Sequence, residues 1–486
     1  MFTVDDIVRF TGGSIENGGL AANRLPLAGV TTDSRTVQPG QLFVAYRGER
    51  LDGHDFAPAA CSGGAGALLV DHAVVGACAN VPQVVVADPR SALARLANRV
   101  LARSCVETVI AVTGTAGKTT TRELLATVLD TGYPGAVLRS TASLNTDTGL
   151  AMTILNHLEG RHRYAVLEMG AQRIGEIAAL CRLAPPRIGV VTNVGAAHLE
   201  FFGSLENVAV AKGELVEALP ASGLAVLNGD DANVRNMVFR SRAPAVFYGL
   251  ERHADYSGSV TGLSPDGMRM HWRGPGGAGE SWTRLLGRHN LLNMLAVVAV
   301  AEQCAMDGPA IAEGLRRVEP VHSRLETRRG PNGSVLIDDS YNANRVSMLA
   351  GLRVLSELGK TGRRIAVLGD MYELGAFAEA EHREVGRASA SAADRLIAVG
   401  SQARWVAEGA LEAGMPAESV EFVDAPGDAA FRPDALPAPA VARSRQLIAD
   451  ELREQLGSGD IVLIKAARGM RLDYLVDLLS NQVADE

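Results

Sequence analysis

Residues 109–122, Val-Ile-Ala-Val-Thr-Gly-Thr-Ala-Gly-Lys-Thr-Thr-Thr-Arg, constrain the fold of this chain more than any other stretch. A β-branched apolar run, Val109 to Val112, stops at Thr113-Gly114, and a helical pattern opens at Gly117-Lys118-Thr119. Strand, glycine turn and helix N-terminus build a nest of backbone N–H groups, and the helix dipole adds partial positive charge at the same spot. Gly114, Thr115, Ala116, Gly117, Lys118, Thr119 and Thr120 are therefore the expected cradle for nucleotide phosphates. Lys118 reaches the terminal phosphates and Thr119 offers its hydroxyl to Mg²⁺. The common phosphate-loop pattern has a glycine five residues before Gly117, where this chain has Val112. The stretch reads as nucleotide triphosphate binding by a shortened loop.

Such a turn belongs in an alternating α/β sheet, and the chain supplies one. Ala165-Val166-Leu167 precedes Glu168, Ile188-Gly189-Val190-Val191 precedes Thr192, and Ala225-Val226-Leu227 precedes Asn228, with helical segments between. In parallel sheets of this kind ligands sit beyond the carboxyl ends of the strands. A glycine-rich polar insertion, Ser257 to Ser281, reads as antiparallel ribbon, and a long helix follows from Asn290 to about Met306. Around Pro320 the pattern restarts: apolar runs at 365–368, 396–399 and 461–464 each end at a polar or glycine turn. The Ala/Pro-rich piece Ala425 to Ala442 reads as a surface loop within this second run. Before residue 105, short strands at 42–45, 67–70 and 84–86 precede a helix from Arg90 to Arg103. At 486 residues the chain exceeds one ordinary core. The expectation is α/β with three domains: a small N-terminal α/β substrate domain (1–105), a central parallel-sheet P-loop ATPase domain (106–319) and a C-terminal Rossmann-like α/β domain (320–486).

Composition narrows the partners. A net charge of −8 without an offsetting basic block argues against nucleic acid. No apolar run is long enough for a membrane span, and Met1 to Asp6 lacks the features of a signal peptide. The five cysteines are scattered, odd in number and never C-x-x-C, which argues against disulfides and zinc and fits a reducing cytoplasm.

Other polar residues gather at the strand ends. Glu168 is a carboxylate suited to hold Mg²⁺ directly or through water, with helix capping or an ion pair as its plain alternative. His198 lies on a loop after a strand at the same sheet edge. Lys212, on the next helix, reads by itself as a solvated lysine. Asn290 and Asn293 share a helix face and suit an adenine edge, although capping accounts for one Asn equally well. Arg324 is placed to clamp a γ-phosphate from the last domain.

Beyond these local readings, the chain resembles the Mur ligases, ATP-dependent amino-acid ligases of peptidoglycan assembly. The resemblance rests on strings in order: 32–35, 40–45, 52–56, 113–120, Leu-Asn-Thr (144–146), Leu-Glu-Met-Gly (167–170), Thr-Asn-Val-Gly-Ala-Ala-His-Leu (192–199), Ala-Lys-Gly-Glu (211–214), Gly-Arg-His-Asn-Leu-Leu-Asn (287–293), Asp-Asp-Ser-Tyr-Asn-Ala-Asn (338–344) and Val-Leu-Gly-Asp-Met-Tyr-Glu-Leu-Gly (367–375). The last two point to the branch that adds D-alanyl-D-alanine to a UDP-N-acetylmuramoyl-tripeptide. The sibling adding the third residue has an Asp-Asn-Pro-Arg type motif, absent here.

The resemblance implies roles. Lys212 matches a lysine carbamoylated by CO₂ that helps hold a second Mg²⁺, and Glu168 and His198 match metal-site positions alongside Thr119. Arg324 and Asp339 match positions where the last domain closes on ATP. Thr32, Ser34 and Arg35 match the UDP-sugar surface of the first domain. Asn145 and Thr146 match a loop facing the sugar-peptide, and Tyr341 and Asn344 belong to the substrate side of the last domain. The implied reaction passes through an acyl phosphate within a monomer that binds only small molecules.

Two strings depart from the family: Arg345 stands where Pro is usual after Tyr-Asn-Ala-Asn, and Lys465-Ala466-Ala467-Arg468 replaces Lys-Gly-Ser-Arg. Both fall in the domain that receives the amine. They leave open a Mur-like ligase joining a different acid and amine. A nucleotide-binding protein that kept the fold and lost catalysis is the alternative from another class.

Overall fold

Among the described residues the apolar strands assemble into three sheets, laid out in chain order. The computed structural model describes residues 2–17, 22–48, 51–76, 78, 80–140, 144–251, 254–359, 362–428 and 435–480. The first sheet contains β1 (Ser14–Glu16), β2 (Val30–Thr31), β3 (Leu42–Val44), β4 (Ala67–Val70) and β5 (Gln83–Val85), in the order β1-β5-β4-β3-β2. All neighbours are parallel except β1, which runs against β5.

The central sheet holds β6 (Thr108–Thr113), β7 (Val137–Arg139), β8 (Tyr164–Glu168), β9 (Ile188–Val191), β10 (Leu224–Asn228), β11 (Ala245–Gly249), β12 (Tyr256–Ser264), β13 (Gly267–Gly274) and β14 (Gly277–Thr283). Their order is β14-β13-β12-β11-β10-β9-β6-β8-β7. The glycine-rich insertion is the antiparallel ribbon β12–β14, appended to one edge of the parallel strands. What positions the site is the register at β6. Val112 lies opposite Glu168 of β8, and Thr113 opposite Val191 of β9. The segments leaving β8 and β9 therefore flank the turn leaving β6.

The last sheet contains β15 (Glu326–Arg329), β16 (Val335–Asp338), β17 (Arg364–Gly369), β18 (Arg395–Val399), β19 (Val420–Val423) and β20 (Ile461–Lys465), in the order β15-β16-β20-β17-β18-β19. Only β15 is antiparallel.

Period-two alternation sorts the strand side chains into separate cores. On β6, Val109 and Ala111 face one apolar cluster while Ile110 and Val112 face another, shared with the helix Arg288–Gln303. On β17, Ala366 and Leu368 face one side and Ile365 and Val367 the other. The first sheet does not keep a wholly private core: Leu42, Leu69 and Leu96 belong to the same cluster as Ala111, Leu167 and Leu215. Among the described residues no helix is long and apolar enough to cross a membrane.

Two expectations are corrected. Cys61 and Cys78 form a disulfide, their Cα atoms 5.7 Å apart. The helix Ala57–Ser62 lies over β4 and meets the loop that returns from it, which spacing along the chain does not reveal. The cysteine argument for a reducing compartment therefore falls away. The Ala425–Ala442 piece is not loop throughout, because the helix Pro439–Gln455 begins inside it, and residues 429–434 lie outside the described residues.

Candidate active site

The turn after β6 takes its shape from two glycines with positive φ, Gly114 at 144° and Gly117 at 82°. A Cβ at Gly114 would stand 1.9 Å from Thr192 Oγ1, and one at Gly117 would stand 2.8 Å from Asn293 Oδ1. Only glycine fits either place. Gly117 caps the helix Lys118–Gly132 without a side chain, so the first-turn N–H groups face open space. Lys118 Nζ bends over the loop, donating to the carbonyls of Gly114 (2.8 Å) and Thr115 (2.9 Å). Burial pushes its pKa down.

The segment after β9 braces this loop. Asn193 Oδ1 accepts from the Ala116 N–H at 2.9 Å, and the Thr192 hydroxyl donates to the Ala116 carbonyl at 2.6 Å. The Thr115 hydroxyl accepts from the Gly195 N–H at 2.9 Å. The sequence reading used Thr192 and Asn193 only as part of a matching string and missed this bracing. Their place immediately after a strand neighbouring β6 was the available signal.

Glu168 ends β8 beside the loop, buried. Its Oε2 accepts from the Thr119 hydroxyl at 2.8 Å and its Oε1 from Asn145 Nδ2 at 2.9 Å, while Arg122 Nη1 stands 3.8 Å away. A hydroxyl and a carboxylate converging at a phosphate nest form a hard oxygen donor set, which fits Mg²⁺. Thr146 caps the helix Asp147–His157 through its hydroxyl.

Lys212 overturns its reading as a solvated lysine. The helix Leu205–Glu217 buries it, with 3% of its surface exposed. Nζ lies 3.4 Å from the Ala171 carbonyl and 5.7 Å from the centre of the Phe202 ring. Burial, with Lys118 nearby, holds its pKa down at about 7, so a large share is neutral amine near neutrality. His198, at φ 54°, pairs through Nδ1 with Glu373 of the last domain.

Arg324 reaches across from the last domain, Nη2 donating to Thr119 Oγ1 at 3.3 Å. Its guanidinium lies 4.2 Å from the Tyr341 ring centre, and that of Arg468 lies 4.8 Å from it. Asp339 is buried against Lys465 Nζ at 2.7 Å. Asn344 caps the helix Arg345–Leu358 in a capping box with Ser347. Asn290 and Asn293 are hydrogen-bonded to each other (3.1 Å). Neither caps the helix, whose N-cap, Gly287, makes no side-chain cap bond.

Except for Arg122, Gly195 and Gly287, these residues line one cavity of about 810 Å³, within the range of small-molecule sites. Thr32, Ser34 and Arg35 do not line it. They follow β2, where Asp33 holds Arg35 at 2.6 Å. Elsewhere His54, Asp71 and His72 converge. His54 already has Nδ1 at 2.6 Å from Asp52 Oδ1, and its Nε2 accepts from the Asp71 N–H at 3.1 Å, so this cluster is held by hydrogen bonds.

Three family domains match in order: "Mur ligase family, catalytic domain" over residues 26–100, "Mur ligase middle domain" over 112–301 and "Mur ligase, glutamate ligase domain" over 323–468. The UDP-N-acetylmuramoyl-tripeptide–D-alanyl-D-alanine ligase of Escherichia coli K12 is 40% identical over 81% of this chain and 85% of its own. The chain belongs to the Mur ligase family. Among solved Mur ligases, a crystal structure of MurF from Acinetobacter baumannii superposes with TM-score 0.85 at 27% identity, covering 99% of both chains. MurF from Thermotoga maritima in complex with ADP gives 0.80 at 27% identity, covering 94% of this chain and 98% of its own. Three α/β domains are thus the Mur ligase fold as well as the sequence expectation.

The departures from the usual Mur ligase strings fall outside the cavity. Arg345 turns toward the helix Ala378–Ala392, its Nε 2.9 Å from Glu381 Oε2. Ala466 and Ala467 are buried in the last core. Arg468, retained at the end of the same string, does line the cavity.

Proposed function

We propose that the chain is a cytoplasmic, ATP-dependent amide ligase that joins D-alanyl-D-alanine to UDP-N-acetylmuramoyl-tripeptide through an acyl phosphate, completing a peptidoglycan precursor. The observation that carries this reading is the meeting, in one cavity, of the phosphate loop, Glu168, Lys212 and Arg324 from two domains. The acid and amine follow the name of the E. coli relative and the strings at 338–344 and 367–375. Departures whose side chains avoid the cavity give no reason to change the amine.

ATP, with Mg²⁺, supplies the phosphoryl group that turns the peptide carboxylate into an acyl phosphate. The chain's residues do the rest. Lys118 and the N–H groups of residues 114–120 neutralise charge spread over the phosphoryl oxygens, and Arg324 adds a cation from the opposite side. Thr119, Glu168 and His198 are the metal-side residues. The neutral Lys212 amine takes up CO₂, forming an N–C bond and losing a proton, and so becomes an anionic oxygen donor for a second Mg²⁺. Asn290 and Asn293 face the nucleotide and Asp339 closes on it from the last domain, while Tyr341 and Asn344 lie on the amine side. Asn145 and Thr146 face the sugar-peptide, whose UDP end belongs to Thr32, Ser34 and Arg35. Closure of the last domain excludes water from the acyl phosphate. The domain limits we assign are 1–105, 106–319 and 320–486, and the active form is taken as a monomer.

Phosphate release is expected only when ATP, the UDP-muramoyl-tripeptide and D-alanyl-D-alanine are all present. Release with an unrelated acid, or without the dipeptide, would remove the assignment. Arg345→Pro, at the first position of its helix where proline is tolerated, is expected to leave KM for the dipeptide within about twofold of the parent. The pair is partly buried, its side chains 36% and 15% exposed, and its loss leaves the Glu381 carboxylate without its cation, so a modest fall in melting temperature is expected alongside the unchanged KM. A large rise in that KM would instead give Arg345 a part in amine recognition.

A further inference from the structure

The pair between His198 and Glu373 joins two loops from different domains, and both sides are built for it. His198 (φ 54°) and Glu373 (φ 61°) each hold a left-handed backbone that side-chain-bearing residues rarely adopt. The Glu200 N–H donates to the Glu373 carbonyl at 3.2 Å, so main chain and side chain meet together. Both residues line the cavity that holds Thr119, Glu168 and Lys212. The side chains are 35% and 40% exposed, and an ion pair that open adds little stability. Its value must lie in geometry.

A carboxylate only accepts hydrogen bonds, so the Nδ1 facing Glu373 carries a proton, and in the neutral ring the lone pair falls on Nε2. A carboxylate behind an imidazole is the usual arrangement for fixing the tautomer and direction of a metal-binding histidine. We infer that Glu373 is the positioning residue that presents His198 Nε2 to a divalent cation, and that this support is complete only when the last domain sits against the central one. This rests on the metal-side role given to His198 above. It makes the metal site a sensor of closure: with the last domain swung away, His198 loses both its orientation and its preferred tautomer.

The test uses the full-length chain with saturating ADP and Mn²⁺ as the probe, counted by electron paramagnetic resonance. Glu373→Ala is expected to weaken Mn²⁺ binding about tenfold to a hundredfold while leaving metal-free ADP affinity unchanged. Glu373→Gln, whose amide oxygen still accepts from Nδ1–H, should recover most of the loss. In ¹⁵N spectra of labelled imidazoles, the His198 signal should report protonated Nδ1 in the parent and Gln variants, and shift toward the other tautomer in the Ala variant. Mn²⁺ affinity and tautomer both indifferent to Glu373→Ala would overturn the inference. If the parent chain meanwhile releases phosphate only with both substrates, the functional reading stands alone. If it does not, that reading fails on its own terms.

Discussion

Lys212→Ala is expected to lower the rate of substrate-dependent phosphate release by about a thousandfold, the scale of losing one preorganised charge at a phosphoryl-transfer site. Short carboxylic acids such as acetate or formate should restore part of it, by placing a carboxylate in the space left by the side chain. The parent enzyme should also respond to pH in a defined direction. Burial beside Lys118 lowers the Lys212 pKa to about 7. Below that value the protonated amine cannot take up CO₂, and above it the neutral amine can. Activity should therefore fall as pH drops through about 7, with bicarbonate giving its largest benefit near that midpoint. The alanine variant should lose this bicarbonate dependence. Unchanged activity in Lys212→Ala, or no rescue by any short acid, removes the carbamate from the mechanism.

Lys118→Ala should be comparably severe, but for a different reason. Lys118 Nζ donates to the loop carbonyls of Gly114 and Thr115, and in the proposed reaction it meets the terminal phosphates. Its loss should cut kcat about a thousandfold while ADP affinity falls by a much smaller factor, because the backbone N–H groups remain. Lys118→Arg should not recover the rate, since a planar fork cannot follow the same bend over the loop. Steady-state phosphate release and calorimetric ADP titration separate the two effects. A kcat loss under tenfold would take Lys118 out of the transition state.

How far the site could be read from the chain depends on the range of the interaction involved. Glu168 and His198 were legible because each follows an apolar strand, and a parallel sheet delivers all such residues to one edge. The bonds from Thr192 and Asn193 to the phosphate loop cross about eighty residues, with no local pattern to announce them. Lys212 is the instructive case. Its helix reads Ala-Val-Ala-Lys-Gly-Glu, and a lysine there looks solvated until Phe202 and Ala171 arrive from elsewhere to bury it. Resemblance to a family supplied its role where periodicity supplied none. Cys61 and Cys78 failed for the same reason, since their approach is a property of the packed helix and loop. The three-sheet organisation survived because strand-then-helix alternation is local and repeated. That the first sheet shares a core with the central one has no local signal, because cluster membership is decided by contact between distant segments.

That shared core bears on what can move. Leu96 of the first region and Leu215 of the central one lie in one apolar cluster. At their seam Arg90 clasps Asp147 at 2.6 and 2.7 Å, and Asn98 holds the carbonyls of Arg182 and Leu183 at 3.0 Å. Separating those regions exposes buried hydrocarbon at about 25 cal/mol for each Å². The last domain's links at the cavity, Arg324 to Thr119 and Glu373 to His198, are polar and can be exchanged for water at little cost. In mechanical terms the first two sheets are joined through hydrocarbon, whereas the last sheet is held to the central one by these polar links and by an apolar contact at Leu263 and Leu286.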